Sequence, residues 1–505
     1  GVGQVVAVSP ANSLVGTSAG DQVGGYGVTP LPSGHYVVRS VTWTHGSAAN
    51  AGAITWGNGQ GGTTGPVSAA NSLVGSQADD ILGSIGITVL SNGNYVVASP
   101  EWDNGPVVNA GAVTWCSGLT STSGEVTHLN SLIGSQADDQ VGNGIHTLTN
   151  GNYVVASPGW DNGPVVNAGA ATWCNGTTGA IGPVTPANSL VGSQTADAVS
   201  SHGVTPLTNG NYVVKSLVWD NGPVANAGAA TWGNGRGVTA GPVSPANSLV
   251  GSQAEDGVGD TVTALTNGHY VVGSELWDDG GVANAGAATW GSGVTGITGP
   301  VSRANSLVGS RESDFVSTSG IIPLTNGHYV VASSLWDNGN RTNAGAATWG
   351  NGLGGTVGEI RPGNSLVGTR ASDFVGSRVT ALSNGNYFVA MQFWDNDAVS
   401  NAGAVTWGNG STGTRGPVTP ANSLVGSQTN DNVGLSTFPL SNGHYVVASA
   451  FWDNGGLAGT GAVTWCNGLG GTTGPVTPAN SLVGGQPGDS VGGNGVTALP
   501  NGNYV

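Results

Sequence analysis

The phrase NSL(V/I)G recurs nine times along this chain of 505 residues. Successive copies lie 58 or 59 residues apart. The phrase begins at Asn12, Asn71, Asn130, Asn188, Asn247, Asn305, Asn364, Asn422 and Asn480. A constant period is typical of one supersecondary unit copied in tandem. We therefore interpret residues 1–505 as a single tandem-repeat array, in which the copy that begins at residue 480 is partial.

Each repeat contains two β-rich runs joined by a turn. The runs have the patterns GVTxL and YVVxS, and TNGN or a close variant joins them, as at residues 149–152. Asn-Gly between such runs is a strong signal for a β-hairpin, because both residues accept the positive φ of a type I′ turn. A WDNG loop, a third strand of pattern AGAxTW, a Gly-rich turn and the short strand SLVG follow. No long segment keeps a helical period, so we predict an all-β protein.

Four short strands per repeat predict the arrangement of the repeats. Four-stranded antiparallel units in seven to nine copies are typical of β-propellers. We predict a β-propeller built from tandem four-stranded antiparallel blades of 58–59 residues. The strand GVTxL is expected innermost, then YVVxS and AGAxTW, with SLVG outermost. The alternative is a β-solenoid, whose coils are typically shorter and contribute fewer hairpins.

The balance of charges excludes several classes of partner. Lys215 is the one lysine, and ten Lys and Arg stand against 27 Asp and Glu, for a net charge of −17. Nucleic-acid binding and docking on anionic lipid both need clustered Lys and Arg, so we expect neither. No apolar run approaches the roughly 20 residues of a membrane helix, so we expect no membrane insertion. The cysteines, which stand where other repeats have Gly, are interpreted as small buried residues: Cys116, Cys174 and Cys466.

Residues 132–173 resemble an FG-GAP repeat, the blade of integrin-α-type propellers. The likeness rests on an Asp ahead of a Val-Gly pair, a strand, a VV run followed by Ser-Pro, and a GA-x-T-W strand; Phe-Val at Phe315 and Phe374 comes close to the family's Phe-Gly. Many FG-GAP blades carry a calcium loop of the D-x-D-x-D-G kind between the first two strands. Here that connection is only TNGN, so the family's calcium site is not carried over. The chain is also similar to long Gly/Asn/Thr-rich arrays in secreted bacterial adhesin-like proteins.

Two acidic positions recur and have two open interpretations. Carboxylates beside Gly-rich loops are typical Ca²⁺ ligands, which makes Ca²⁺ a candidate cofactor. Asp side chains also accept hydrogen bonds from the backbone of their own turns. The candidate metal ligands, which follow SLVG, are Asp80, Asp139, Asp197, Asp256, Asp314, Asp373, Asp431 and Asp489, with Asp21 in the first copy. The second position, in the WD loop, is Asp103, Asp161, Asp220, Asp278, Asp337, Asp395 and Asp453, with Thr44 in the first copy.

Two tryptophan positions also recur. Those beside the WD loop could stack on sugar rings as in a lectin, or pack between neighbouring blades. These loop tryptophans are Trp102, Trp160, Trp219, Trp277, Trp336, Trp394 and Trp452. Trp56, Trp115 and their equivalents end the third strand, and we predict that they belong to the core.

The polar residues favour a non-enzymatic function. Four histidines replace Asn in the hairpin turn and are interpreted as turn residues: His35, His269, His328 and His444. No nucleophile–base pair or phosphate-binding loop departs from the repeat, and no copy is singled out by unique polar residues. We therefore expect a secreted or cell-surface structural and adhesion protein, the building block of a surface assembly or filament. The alternative is a carbohydrate-binding, lectin-like propeller with glycans as partners.

The strands at the two ends predict self-association. The chain opens with a lone outermost strand near residues 13–15 and closes at Asn503–Val505, inside the second strand of the ninth repeat. Exposed strand edges are templates for pairing with another chain. We expect the ends to meet either within one chain, as a closed ring, or between copies, as a head-to-tail filament.

Overall fold

The computed structural model describes residues 7–505, which form 41 strands and no helix. No stretch of these residues is therefore a helix that could cross a bilayer. The chain divides into two compact units, Gly1–Ser248 and Leu249–Val505. The predicted all-β class is confirmed, and each repeat forms a small sheet.

The strands of the first compact unit are two to five residues long. In chain order they are β1 (Leu14–Val15), β2 (Val28–Pro30), β3 (Tyr36–Ser40), β4 (Ala53–Gly57), β5 (Gly65–Pro66), β6 (Leu73–Val74), β7 (Gly86–Val89), β8 (Tyr95–Ser99), β9 (Ala112–Cys116), β10 (Gly124–Glu125), β11 (Ser131–Ile133), β12 (Gly144–Thr147), β13 (Tyr153–Ser157), β14 (Ala170–Cys174), β15 (Gly182–Pro183), β16 (Ser189–Val191), β17 (Val204–Pro206), β18 (Tyr212–Ser216), β19 (Ala229–Gly233) and β20 (Gly241–Pro242).

The later strands repeat the same lengths. They are β21 (Ser248–Val250), β22 (Thr261–Ala264), β23 (Tyr270–Ser274), β24 (Ala287–Gly291), β25 (Gly299–Pro300), β26 (Ser306–Val308), β27 (Ile321–Pro323), β28 (Tyr329–Ser333), β29 (Ala346–Gly350), β30 (Gly358–Glu359), β31 (Leu366–Val367), β32 (Arg378–Ala381), β33 (Tyr387–Met391), β34 (Ala404–Gly408), β35 (Gly416–Pro417), β36 (Ser423–Val425), β37 (Ser436–Pro439), β38 (Tyr445–Ser449), β39 (Ala462–Cys466), β40 (Gly474–Pro475) and β41 (Leu482–Val483).

The predicted strand order is confirmed, and a fifth strand is added to it. In one sheet of the first compact unit, β7, β8, β9 and β11 pair antiparallel in that order, from GVTxL to SLVG. The fifth strand, β15, comes from the next repeat and pairs parallel with β11, Leu132 facing Gly182. The second compact unit repeats the arrangement, for example in the order β22-β23-β24-β26-β30. The fifth strand is only two residues long. A Gly-Pro pair cannot show the alternating pattern of a strand, so the sequence did not predict it.

The core lies between consecutive sheets. The inner strand β8 is buried along its whole length, on both faces. Val37 and Ile54 of one sheet pack against Tyr95, Val97 and Trp102 of the next. Because each sheet is covered by its neighbours, a repeat buries its apolar faces only within the array.

Polar residues inside the sheets are paired with one another. The Thr of the TW pair and the Ser of the NSL phrase face each other across β9 and β11, where Thr114 Oγ1 lies 2.7 Å from Ser131 Oγ. The three cysteines are free and buried, as predicted, and burial raises the pKa of each thiol to about 12. In repeats with Gly at this position a tyrosine ring fills the space: an added Cβ on Gly233 would lie 2.1 Å from Tyr212.

Candidate functional site

The recurrent aspartate after SLVG is buried in the connection between two sheets. Asp139, between β11 and β12, is fully buried. Its Oδ2 accepts the backbone N–H groups of Ser135 (2.7 Å) and Gln136 (2.8 Å), and its Oδ1 accepts that of Asp161 (2.9 Å). The same three bonds recur at Asp80, Asp197, Asp256, Asp314, Asp373 and Asp431. Asp489 is exposed and accepts the N–H groups of Gly485 and Gln486.

The backbone on both sides of this aspartate is in the left-handed region. Asp138 has a φ of 63° and Gln140 a φ of 46°. In other repeats the residue after the aspartate has the same conformation although it is β-branched, as Ile81 is, or large, as Phe315 is. Each such residue costs about 1–3 kcal/mol and persists only where its surroundings hold it. The carboxylate of Asp139 accepts three N–H groups and therefore stabilises this turn.

The pKa of this aspartate depends on its neighbour in the WD loop. Burial raises the pKa of Asp139, the three N–H bonds oppose it, and the charge of Asp161 raises it further, with a net increase. In the first repeat Thr44 replaces that second acid. There the N–H bonds outweigh burial, and the pKa of Asp21 is lowered.

The aspartates of the WD loop are half-buried and cap the next turn. Asp161 Oδ1 accepts the N–H of Asn167 at 2.6 Å, and Asp103 that of Asn109 at 2.7 Å. Both recurrent acids thus perform the turn-forming role considered from the sequence. No group of three or more His, Cys, Asp or Glu suited to a metal ion occurs within residues 7–505. Calcium binding at these aspartates stays a prediction.

The loop tryptophans lie between the sheets, in the packing role that the sequence left open beside stacking on sugars. Each is only 3% exposed, so it has no free face for a sugar ring. Among residues 7–505 their indole N–H groups have no acceptor, so apolar packing holds the rings. These residues are Trp102, Trp160, Trp219, Trp277, Trp336, Trp394 and Trp452.

The tryptophans that end the third strand pack against the core, as predicted, but are more exposed than the loop set. Trp115 is half-buried beside the hairpin turn, and its Nε1 donates to the carbonyl oxygen of Gly176, 2.9 Å away in the next repeat. The same oxygen accepts the amide groups of Asn92 (2.7 Å) and Asn94 (3.0 Å). One carbonyl thereby ties a hairpin turn and a strand end of one repeat to the following repeat.

The hairpin histidines replace asparagine in one hydrogen bond. Asn152 Oδ1 accepts the N–H of Gly176 at 2.9 Å; His269 Nδ1 accepts that of Gly293 at 3.0 Å. The His269 ring lies 4.9 Å from that of Trp290. Burial lowers the pKa of His269, and likewise that of His328. The histidines are turn residues, as predicted.

Residues that differ between repeats meet in a cavity of about 470 Å³ in the first compact unit. Tyr26 and Ile85 precede β2 and β7 and are 44% and 49% exposed. Arg39, on β3, lies beside them. The sequence motifs missed this cluster because they rest on recurring residues. A column-by-column alignment of the nine copies would have shown two variable columns, one with Tyr26 and Ile85 and one with Arg39 and Lys215.

A family model described as "Repeat of unknown function (DUF5650)" matches nine segments of the chain. They are residues 1–25, 30–84, 89–143, 147–201, 206–260, 264–318, 323–377, 381–435 and 439–493. The chain belongs to this family. A DUF5650 repeat such as 89–143 includes β8, β9, β11 and the buried Asp139. The matching family is thus the DUF5650 repeat rather than FG-GAP. No curated protein matches the chain.

Similarity to solved structures is distant. A puromycin hydrolase is 10% identical, with 84% of this chain and 58% of the hydrolase covered and a TM-score of 0.25. PorZ, a surface component of the type-IX secretion system of Porphyromonas gingivalis, is 12% identical, with 86% and 46% covered and a TM-score of 0.22. The extracellular domain of BT4673 from B. thetaiotaomicron is 10% identical, with 89% and 60% covered and a TM-score of 0.19. The chain spans less than two thirds of each, and TM-scores this low carry no functional argument.

Proposed function

We propose that this chain is a non-enzymatic, extracellular structural and adhesion protein, the building block of a surface assembly or filament. The observation that carries the proposal is the interlocking of the repeats. Each five-stranded sheet takes its last strand from the following repeat, as β11 takes β15. Side chains add a second link, since Trp115 and Asn92 both bind Gly176 of the next repeat. An array joined in this way is suited to bear a load along its length.

The propeller arrangement and the likeness to FG-GAP blades belong to the same proposal. The antiparallel order from GVTxL outward to SLVG is the order of a propeller blade, and it supports this arrangement. Negative-stain electron microscopy of the 505-residue chain tests it. Closed or arc-shaped rings of sheets support the propeller, and straight rods of stacked coils contradict it.

The carbohydrate-binding alternative depended on the loop tryptophans. Because these rings are buried between the sheets, no observation favours a lectin over a structural protein. A glycan array tests this conclusion. Saturable binding of a sugar that survives replacement of Trp160 by Phe would return a lectin role, carried by other residues.

We propose that self-association uses the strand pairing seen within the array. β1 and β5 form a two-stranded parallel sheet, whereas the equivalent β6 and β10 are joined to the antiparallel strand β4. Within residues 7–505 no strand pairs with the other edge of β1, and this edge can accept such a strand from a second copy.

Light scattering over a range of concentrations tests the self-association. The intact chain should form oligomers, and a chain without residues 1–20 should remain monomeric with an unchanged circular dichroism spectrum. An intact chain that is monomeric at the highest concentration contradicts assembly through this edge.

Calcium remains part of the proposal as a stabilising ion at the aspartate turns. A ligand that binds only the folded state raises the melting temperature by mass action. Excess EDTA should then lower the melting temperature. An unchanged melting curve would assign the aspartates to their N–H bonds alone.

A further inference from the structure

The cavity that contains Arg39 lies along unpaired strand edges. β2, β7 and β12 are each an edge strand of their sheet, at the edge opposite the fifth strand. In β2, Gly27 accepts the N–H of Arg39 (3.1 Å) and Leu31 donates to His35 (2.9 Å), so the alternate residue Val28 directs its peptide groups away from β3.

The same alternation applies in the next two sheets. Ile87 on β7 and Ile145 on β12 hold the register position of Val28. All three residues line the cavity. Their N–H groups face the free edge, which makes them available donors for a bound acceptor.

Arg39 adds a positive charge that is held in place. Its Nε and Nη2 donate to the carbonyl oxygen of Tyr26, at 3.1 and 2.8 Å. Its Nη1 lies at the next sheet, 2.8 Å from the position of an added Cβ on Gly86. No acidic residue is among those that line the cavity, and no salt bridge of Arg39 occurs within residues 7–505. In a chain of net charge −17, this is a local site for an anion.

An apolar wall lies beside the charge. Tyr26 and Ile85 are 44% and 49% exposed, and Ile87 and Ile145 complete the wall. The next four repeats carry polar residues at the position of Tyr26 and Ile85, namely Asn143, His202, Asp260 and Ser319, and the eighth carries Leu435. The cavity volume of about 470 Å³ is in the range of small-molecule sites.

We propose that this cavity binds a small carboxylic acid with a short apolar or aromatic body. The carboxylate accepts hydrogen bonds from Arg39 Nη1 and from a free edge N–H of Val28 or Ile87. The apolar body covers Tyr26 and Ile85, which removes their exposed surface from water. The proposal is independent of the structural role and adds a ligand site to one region of the array.

The test compares an acid with its neutral analogue. Calorimetric titration of the 505-residue chain with 4-phenylbutyrate and with 4-phenylbutanol should show binding of the acid at least tenfold tighter. Arg39→Ala should lower the affinity for the acid about tenfold or more, because a charge-assisted bond is lost. This variant should fold, since Ala98, Ala156 and Ala332 hold the equivalent position.

Two further variants keep the proposal falsifiable. Arg378→Ala removes a similar arginine in the second compact unit, whose Nη1 donates to Leu435 at 2.7 Å, and should leave the affinity unchanged. Ile85→Asn introduces the residue type that the next repeat has at the equivalent position, Asn143. This variant should weaken binding of the acid and the alcohol alike. Equal affinity for acid and alcohol, an unchanged affinity in Arg39→Ala, or no saturable binding up to about 10 mM would each overturn the proposal.

Discussion

The two ends of each sheet are held together in different ways. At the loop end, formed by the aspartate turn and the WD loop, Asp139 bonds the N–H groups of Ser135 and Gln136 beside it and that of Asp161 in the next sheet. At the hairpin end, formed by the TNGN turn and the strand-end tryptophan, Trp115 and Asn92 bond a carbonyl of the following repeat. Both ends therefore join neighbouring sheets, the loop end through one carboxylate that accepts backbone N–H groups and the hairpin end through one carbonyl that accepts side-chain donors.

This difference explains which positions vary among the nine copies. The aspartate after SLVG is the same in every copy, since a buried carboxylate that accepts three N–H groups has no substitute. The hairpin position holds either Asn or His, because both supply an acceptor for one backbone N–H at a half-buried site, as Asn152 Oδ1 and His269 Nδ1 do. The position whose side chain accepts more backbone N–H groups thus varies less along the array.

The largest expected effect is at the loop end. Asp139→Ala removes the buried acceptor of three N–H groups, which belong to exposed or half-buried residues. Each bond contributes about 1 kcal/mol, so we expect a loss of about 3 kcal/mol. Hydrogen exchange at the amides of Ser135 and Gln136 measures it locally, and urea unfolding measures it globally. Asp161→Ala is the matched control, with one N–H released and a loss of about 1 kcal/mol. Equal losses for both variants would contradict the role assigned to Asp139.

A smaller loss is expected at the hairpin end. Asn152→Ala removes the acceptor of the buried Gly176 N–H and should cost about 1–2 kcal/mol in urea unfolding. Asn152→His restores an acceptor and should be close to neutral above pH 7. A histidine variant as unstable as the alanine variant would show that the two residues are not interchangeable here.

The histidines should make the hairpin end sensitive to acid. The folded-state pKa of His269 and His328 is lowered, so their contribution is present above the unfolded pKa of about 6.5 and is lost as the pH falls through the folded value. Protonation of His269 adds a proton to Nδ1. This nitrogen then faces the N–H of Gly293 and can no longer accept its hydrogen bond. The double variant His269→Asn/His328→Asn should lose this part of the pH dependence in thermal melting between pH 7.5 and 5.5. A dependence that persists in the double variant would assign it to other groups.

The aspartates should respond to pH in the opposite direction. The pKa of Asp139 is raised, so its contribution is present below the unfolded pKa of about 3.9 and is lost as the pH rises through the folded value. Asp21 has a lowered pKa, because burial, which raises it, is outweighed by the N–H bonds from Ser18, Thr17 and Thr44, and Thr44 stands where other repeats have a second acid. Carbon-13 NMR titration should place the midpoint of Asp21 below that of Asp139. Thr44→Asp should raise the midpoint of Asp21, and an unmoved midpoint would exclude the neighbouring acid as the cause.

The smallest effect is expected for a single link between repeats. Trp173→Phe keeps the ring and removes the bond from Nε1 to Gly235, 3.0 Å long. The carbonyl oxygen of Gly235 still accepts the amides of Asn150 and Asn152, at 2.8 and 2.9 Å. We expect a loss of about 0.5–1 kcal/mol in urea unfolding, and a larger loss would indicate that the three donors act together.

Most of the fold was predictable from the sequence, and the exposed residues were not. The Asn-Gly turn and the alternating runs predict the antiparallel order, because local chemistry decides it. The exposure of a tryptophan depends on what the next repeat places over it. Trp102 follows its strand yet packs between two sheets, whereas Trp115 ends a strand beside an open turn. Arg39 was missed because it is an exception to the repeat, and the recurring motifs describe only what repeats share.

The Gly-Pro strand has a consequence for synthesis at the ribosome. The sheet that begins with β7 gains its antiparallel strands by Ile133 but receives β15 only when Gly182 and Pro183 have been made. By then β12, β13 and β14 of the following sheet have already been translated. A nascent chain therefore carries one unfinished sheet behind its newest one, and successive sheets reach their final form in the order of translation.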